Sequence, residues 1–557
     1  MTKLLALSLV AGCAVFTALP SLSAEDLATA EVAIAEIRRI VAAHPTVASV
    51  EVVGASRGGR EILAVTVAAA PSGSGARPPG ERPALLVTAG LDEPVPFASQ
   101  QAVAILSEIL RRAEEPEARS VLAAHTLYFL PLLHPDAVAA RLTSPSWERT
   151  RNGVPRDDDR DQRIDEDGPD DLDGDGQILS LRVPDPDGPL VVDAADPRIL
   201  RPFEPGDRGS ARFRRIFEGI DNDGDGAINE DPPGGADPAR NFPYDFEPRA
   251  SESGAFPASE PETKALLDFL LSHANVEAAV HFGGDDNLVQ LPRSRDERPA
   301  ARGEHRVWKD DAELYTQAAA LHKERTGRTI AGRSETRGDW PETAYFLFGV
   351  PCFAVCVLGP EPPGSTAGGS GGARELEKRW LDWNDGEGQG AAFVPWKPFH
   401  HPQLGDVHLG GWKPYAKLTA SPAVAVQRAA GETGFILELA RRLSDVGIED
   451  IRLLDLGGGL YEARARVTNR GELPTALRQG VFTGRRSPLT VEVLSEGLRA
   501  VGENPRRRIE VLAGRGGSAE LKWLFLGAPG SQLTMEVRRR GQRLATRSLP
   551  IAAGGTL

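Results

Sequence analysis

Four short apolar runs constrain the fold of this chain more than any other feature: ALLVTAG from residue 84, TLYFLPLL from 126, VEAAVHF from 276 and PCFAVCVLG from 351. Each is too short for a core helix, is bounded by turn residues, and is nearly continuous rather than alternating. That is the pattern of strands buried on both faces. Longer stretches with helical spacing lie between them, at 26–43, SQQAVAILSEILRRA, ETKALLDFLLSHA, DAELYTQAAALHKERTG and 422–443. VASVEVVG and EILAVTVAAA, joined by the turn SRGGR, read as a hairpin. Strands alternating with helices over residues 25–445 predict an α/β domain, a mixed sheet flanked by helices. From 446 to 557 short alternating segments follow one another without helical periodicity, which predicts an accessory β-sandwich domain.

Residues 152–235 break this rhythm with Asp, Gly, Pro and Arg. They hold an internal repeat: DDDRDQRIDED at 157–167 aligns with DNDGDGAINED at 221–231, and DLDGDGQIL at 171–179 is a partial third copy. Acids at alternate loop positions, followed by a turn, supply the hard oxygen ligands that calcium takes. The candidate ligands are Asp157, Asp159, Asp161 and Asp165, then Asp171, Asp173 and Asp175, then Asp221, Asp223, Asp225 and Asn229. Ile164, Ile178 and Ile228 would fasten the loops to apolar neighbours. None has the Glu that closes an EF-hand; the alternative to calcium is a solvated acidic loop. The net charge of −15 argues against nucleic acid as a partner.

The first 24 residues, with one Lys, an apolar run and small residues before Glu25, predict a signal peptide and a secreted or periplasmic protein. Val10-Ala11-Gly12-Cys13 also resembles a lipoprotein box, and lipidation at Cys13 would be the one route to a membrane. Cys352 and Cys356 sit among apolar neighbours and read as buried residues rather than a disulfide or metal pair.

Several segments resemble the zinc carboxypeptidases of the carboxypeptidase A type, in that family's order. They are GASRGGREILAVTV, FLPLLHPDAVAARLTSPSWERTRNG, GGADPARNFPYDFEP with FPASEPETKALLDFL, VEAAVHFGG, and GDWPETAYFLFGVPCFAV. The resemblance covers roughly residues 28–430 and implies the family's fold, zinc, and hydrolysis of C-terminal residues from peptides. By it, Glu93 and His281 fall at two zinc-ligand positions, Gly90 stands where the first ligand histidine should be, and Cys356 stands at the general-base position. Arg240 matches the arginine that holds a peptide's terminal carboxylate, with Ala239 in place of its Asn neighbour. Arg149 or Arg151 matches the oxyanion arginine. His125, His134 and His408 read as ordinary surface or strand residues.

Three functions stay open. One is a catalytically impaired relative with weak or absent zinc that still binds peptide or protein C-termini. The second is an active carboxypeptidase with a rebuilt site, its third ligand drawn from Asp92, Asp285 or Cys356. The third is a structural or adhesive extracellular module.

Overall fold

The computed structural model describes residues 29–551 apart from 72–75, 92–95, 150, 158–160, 251, 297–304, 329–336, 358–372, 387, 418–421, 495–497, 503 and 529–530. The proposed leader with Cys13, together with Asp92, Glu93 and Asp159, lies outside the described residues.

Six strands form the central sheet: β1 (Ala48–Ala55), β2 (Glu61–Val67), β3 (Ala84–Ala89), β4 (Thr126–Leu130), β5 (Val276–Gly283) and β6 (Cys352–Cys356). Their order is β1-β2-β4-β3-β5-β6. β2 pairs antiparallel with both β1 and β4, and β4, β3, β5 and β6 run parallel. The strand period sorts side chains onto two faces. Leu85, Val87 and Ala89 join one core with Phe353 and Val355, whereas Ala84 and Leu86 join the other with Cys352.

The first face is covered by α1 (Ala30–Ala42), α2 (Pro96–Arg111), α4 (Lys309–Thr326) and α6 (Pro422–Arg441). The second is covered by α3 (Pro261–Ser272) and α5 (Trp340–Phe348). Local chemistry sets the helix ends. The Thr29 hydroxyl accepts from Val32 N at 3.0 Å to open α1, and Asp339 accepts from Glu342 N at 2.9 Å to open α5. Among the described residues no helix is long and apolar enough to cross a membrane.

Three distant sequence segments meet at a carboxylate network beside this sheet. The Asp136 carboxylate accepts from Ser56 Oγ at 2.8 Å and Gly58 N at 2.6 Å, and pairs with Arg60 at 2.9 Å. Glu262 Oε1 accepts from Arg57 N at 2.8 Å, and Glu260 pairs with Arg57 and accepts from Asn152 Nδ2 at 2.6 Å. GASRGGR, HPDA and SEPET are therefore tied together for structural reasons. Glu262 is fully buried with one oxygen unpartnered. Burial, with Asp136 and Glu260 adding repulsion, pushes its carboxyl up to about 7 from 4.5. The folded state thus binds this proton more tightly than the unfolded chain. Its contribution to stability is present below the unfolded pKa and lost as pH rises through 7. Glu262→Gln should therefore gain in melting temperature relative to the parent between pH 5 and pH 8. A difference that stays constant across that range would contradict the assignment.

The acidic stretch is more ordered than its composition predicts. Ser180–Pro184, Leu190–Val192, Leu200–Pro202 and Arg212–Phe217 join the hairpin Phe393–His401/Gly405–Trp412 in a six-stranded antiparallel sheet. Ile178 is buried as expected, but Ile164 is 57% exposed and fastens nothing.

At the C-terminal end, two four-stranded antiparallel sheets share one core built from Ala463, Val467 and Trp523 on one side and Val491, Met535 and Val537 on the other. A short helix, Arg478–Phe482, interrupts the strands where no helical periodicity is visible in the sequence. Its first turn is capped from the α/β domain, since Asp311 accepts from Arg478 N at 2.9 Å and Gln479 N at 3.1 Å. A tertiary carboxylate substitutes here for a local signal.

Candidate functional site

In an open sheet with parallel strands, ligands gather at the carboxyl ends of those strands. Here β3 ends at Gly90, β5 carries His281 and β6 ends at Cys356, on three adjacent strands. Thr88 pairs in register with His281, His281 with Ala354, and Gly283 with Cys356. By strand alternation all of these point to the face covered by α3 and α5. His281 is 1% exposed, and Thr88 Oγ1 lies 3.0 Å from its Nδ1.

Gly90 is not a ligand position left vacant. Its φ is +64°, a left-handed conformation that costs an L residue with a side chain. A Cβ built there would overlap Ser99 Oγ and stand 3.3 Å from Ser99 Cβ, so the first turns of α2 fill the space a side chain would need. The carbonyl of Gly90 accepts from His134 N at 2.6 Å, which fixes the turn. His134 is not a surface residue. It is completely buried, neither ring nitrogen has a hydrogen-bond partner, and burial pushes its pKa down to about 4, so the ring is neutral at physiological pH.

Cys356 is 3% exposed, and its carbonyl accepts from Arg328 Nη2 at 3.0 Å. Arg328 is held in turn by Glu432 at 3.3 Å, beside His322. A cavity of about 10 Å³, close to the least that one water needs, lies by this end of β6 among Val355, His322 and Arg328. The loop after β5 covers the free edge of β6: Asn287 accepts from Ala354 N at 2.8 Å and donates to Cys352 O at 2.9 Å. Cys352 and Cys356 are both buried and unlinked. Asp285 is also buried, but among the described residues no three potential ligands that include His281 come together.

A catalytic zinc needs three protein ligands and an open position. Of the three aligned positions, His281 offers a described donor, Glu93 lies outside the described residues, and Gly90 carries no side-chain donor.

Substrate-side residues fare differently. Arg240 is one-third exposed and pairs through Nε with Glu252 at 3.0 Å. Its backbone lies against Gly338, where a Cβ would come within 2.5 Å of the Arg240 carbonyl. Phe242 N donates to Gly338 O at 2.9 Å, so the Arg240 segment is stitched to the start of α5. Beyond Gly338 lies a cavity of about 180 Å³ lined by Asp285, Asp339, Glu342, His305 and Tyr345, with Ala354, the register partner of His281, at its floor. His305 Nδ1 lies 2.6 Å from Glu342. Arg149 is turned away, since its guanidinium donates to Thr143 Oγ1 at 2.6 Å and stacks on Trp147 at 5.1 Å. Arg151 precedes Asn152, which is pinned between Ala236 and Glu260 beside the Arg240 segment.

With this geometry the comparisons with known proteins can be read. Residues 33–170 and 210–344 match the family model described as zinc carboxypeptidase. The α/β domain belongs to the zinc carboxypeptidase family. Residues 445–549 match a separate family described as a domain of unknown function (DUF8731). Among solved structures, thrombin activatable fibrinolysis inhibitor is 14% identical, with 60% of this chain and 66% of that one covered at a TM-score of 0.35. Carboxypeptidase A from Helicoverpa armigera is 12% identical, with 60% and 65% covered and a TM-score of 0.37. A metallo-carboxypeptidase from Burkholderia cenocepacia is 12% identical, with 73% and 69% covered and a TM-score of 0.34. The chain thus spans just under two thirds of the first two. No curated protein matches it. The family implies zinc, which makes the closed position at Gly90 a departure from the zinc carboxypeptidase pattern.

The acidic loops draw in residues that the repeat does not contain. Asp171 and Asp173 gather with Glu218, and Asp161 gathers with Glu166 and Asp223. Asp221, Asp223 and Asp225 form a third group. Glu218, fully buried at the end of the strand Arg212–Phe217, accepts from Leu179 N at 2.6 Å. Burial pushes Glu218 up to about 7. Glu218 stands three residues before the second copy but outside its pattern, and it joins the loop of the third copy only through the strand pairing. Asp165 accepts from Gly234 N at 2.8 Å, and Asp175 accepts from Gln177 N at 2.8 Å, so both lie outside these groups. The Asn229 amide donates to Phe217 O at 3.0 Å, and the Asp157 carboxylate accepts from Gln162 N at 3.1 Å.

Proposed function

We propose that this chain is an exported member of the zinc carboxypeptidase family that binds peptide C-termini without hydrolysing them. The observation that supports the reading is Gly90, which offers no side-chain ligand and whose positive φ and close Ser99 make any side chain there costly. Arg240 is one-third exposed, on the segment stitched to Gly338 just before the cavity residues Asp339 and Glu342, and a guanidinium takes a carboxylate through paired charged hydrogen bonds. Acidic groups on the cavity wall, Asp285, Asp339 and Glu342, favour a basic last side chain. Calorimetry with short peptides should show binding that requires a free C-terminal carboxylate, prefers Lys or Arg there over Glu, and weakens about tenfold or more in Arg240→Ala. Equal affinity for the amidated peptide would refute it.

The acidic loops we assign to calcium, as a brace for the insert. The support is three carboxylate groups assembled across the repeats, one of them completed by Glu218. With the modest affinity of extracellular loops, roughly 10⁻⁴ to 10⁻³ M, 10 mM calcium should add about 1.4–2.7 kcal/mol per site over chelator. Glu218→Ala should remove part of that gain. No change in melting temperature with calcium would count against the assignment.

A further inference from the structure

A second cavity, of about 500 Å³, lies between the antiparallel sheet of the insert and the helix Ala373–Asp385. That is the size of an ordinary small-molecule site. It is remote from His281 and is built by elements outside the central sheet. Four of the eight tryptophans, Trp380, Trp383, Trp396 and Trp412, fall within residues 380–412, and Trp396 and Trp412 line the cavity.

Both lining indoles are locked in place. Trp396 Nε1 donates to Arg198 O at 3.0 Å, and Trp412 Nε1 donates to Glu377 Oε1 at 2.6 Å. Their N–H groups are satisfied, so what they present is ring surface. Behind Trp396 lies Arg182, 8% exposed and 5.2 Å from the ring centroid, which fixes the indole further. Lys417 lies 4.5 Å from the Trp412 centroid and 2.5 Å from Glu377.

The charges are arranged for a ligand with both signs of hydrogen-bonding demand. Arg215 lines the cavity with no hydrogen bond or acidic partner among the described residues, and its charge repels that of Lys417. Lys417 is paired with Glu377, whereas Arg215 has no such anion and calls for one. Glu377 is taken up by Trp412 and Lys417, and Glu148 accepts from Tyr415 N at 2.8 Å through one oxygen, which leaves its second oxygen for a hydroxyl donor.

We propose that this cavity binds an acidic sugar, a hexuronic acid unit alone or in a short chain. The pyranose C–H face stacks on Trp396, the carboxylate reaches Arg215, and a ring hydroxyl donates to Glu148. A planar aromatic acid would satisfy the indoles and Arg215 but would bring no hydroxyl donor to the second oxygen of Glu148.

The test uses the full chain, with tryptophan fluorescence and calorimetry against D-glucuronate and digalacturonate, and with glucose and benzoate as controls. The uronates should saturate a single site, with glucose and benzoate weaker by about tenfold or more. Arg215→Ala, at an exposed strand position that folding does not need, should weaken uronate binding by about tenfold. Trp396→Ala should do the same while Trp396→Phe keeps most of it, because stacking needs only a ring face. Benzoate binding as tightly as glucuronate, glucose binding as tightly, or unchanged affinity in Arg215→Ala would each overturn the proposal.

Discussion

Replacing Arg539 with alanine should destabilise the whole protein by roughly 3–5 kcal/mol, the usual cost of stranding one partner of a buried ion pair. Arg539 is 4% exposed and Glu277 8% exposed, and they meet at 3.1 Å. Arg539 sits on a strand of the C-terminal sandwich and Glu277 on β5, where the register slips by one residue and turns this side chain out of the alternation. Each is satisfied further: Arg539 donates to Thr475 O at 2.6 Å, and Glu277 accepts from Ser444 N at 2.9 Å and Ser444 Oγ at 2.7 Å. The pair joins the two domains, so its loss should merge into one cooperative transition rather than release the sandwich alone. Arg539→Met combined with Glu277→Gln should recover part of the loss, because no charge is then left unpaired. Denaturant unfolding measures this; a single-variant cost below about 1 kcal/mol would show that the junction is solvated.

Restoring histidine at position 90 should fail to restore zinc. Gly90→His has to place a side chain at φ +64° and push Ser99 aside, and left-handed strain and overpacking each cost roughly 1–3 kcal/mol. Adding Cys356→Glu makes matters worse, since a carboxylate would replace a thiol that is 3% exposed and would have to be buried. The double variant should melt lower than the parent and bind no more zinc, by thermal unfolding and metal analysis. Including Ser99→Gly should recover part of the stability, because it removes the atom that collides. A double variant as stable as the parent with stoichiometric zinc would mean that position 90 remains open.

The strands and the family segments were legible because they are written as local patterns: continuous apolar runs for doubly buried strands, and polar motifs such as SEPET that grip neighbouring backbone. The identity of Gly90 was legible too. Its conformation and the packing of Ser99 against it were not, since both depend on where α2 crosses the end of β3. The insert shows the same limit. Its Asp-rich loops stand out, yet the strand Arg212–Phe217 reads as a basic run, and its partners Ser180–Pro184 and Gly405–Trp412 are too distant for any periodicity to link. Glu218 and Arg215 are positioned by that pairing alone. Ile164 fits the phase of the repeat but not its packing, because its loop lies against no apolar surface.

The most direct measurement is the zinc content of the purified native protein, after dialysis against zinc-free buffer, beside release of C-terminal residues from peptide substrates. With no side-chain donor at position 90 and at most two ligands at the aligned positions, zinc should stay well below one equivalent, with no turnover when zinc is added back. One tightly held equivalent of zinc, with carboxypeptidase activity lost to chelator and regained with metal, would contradict it.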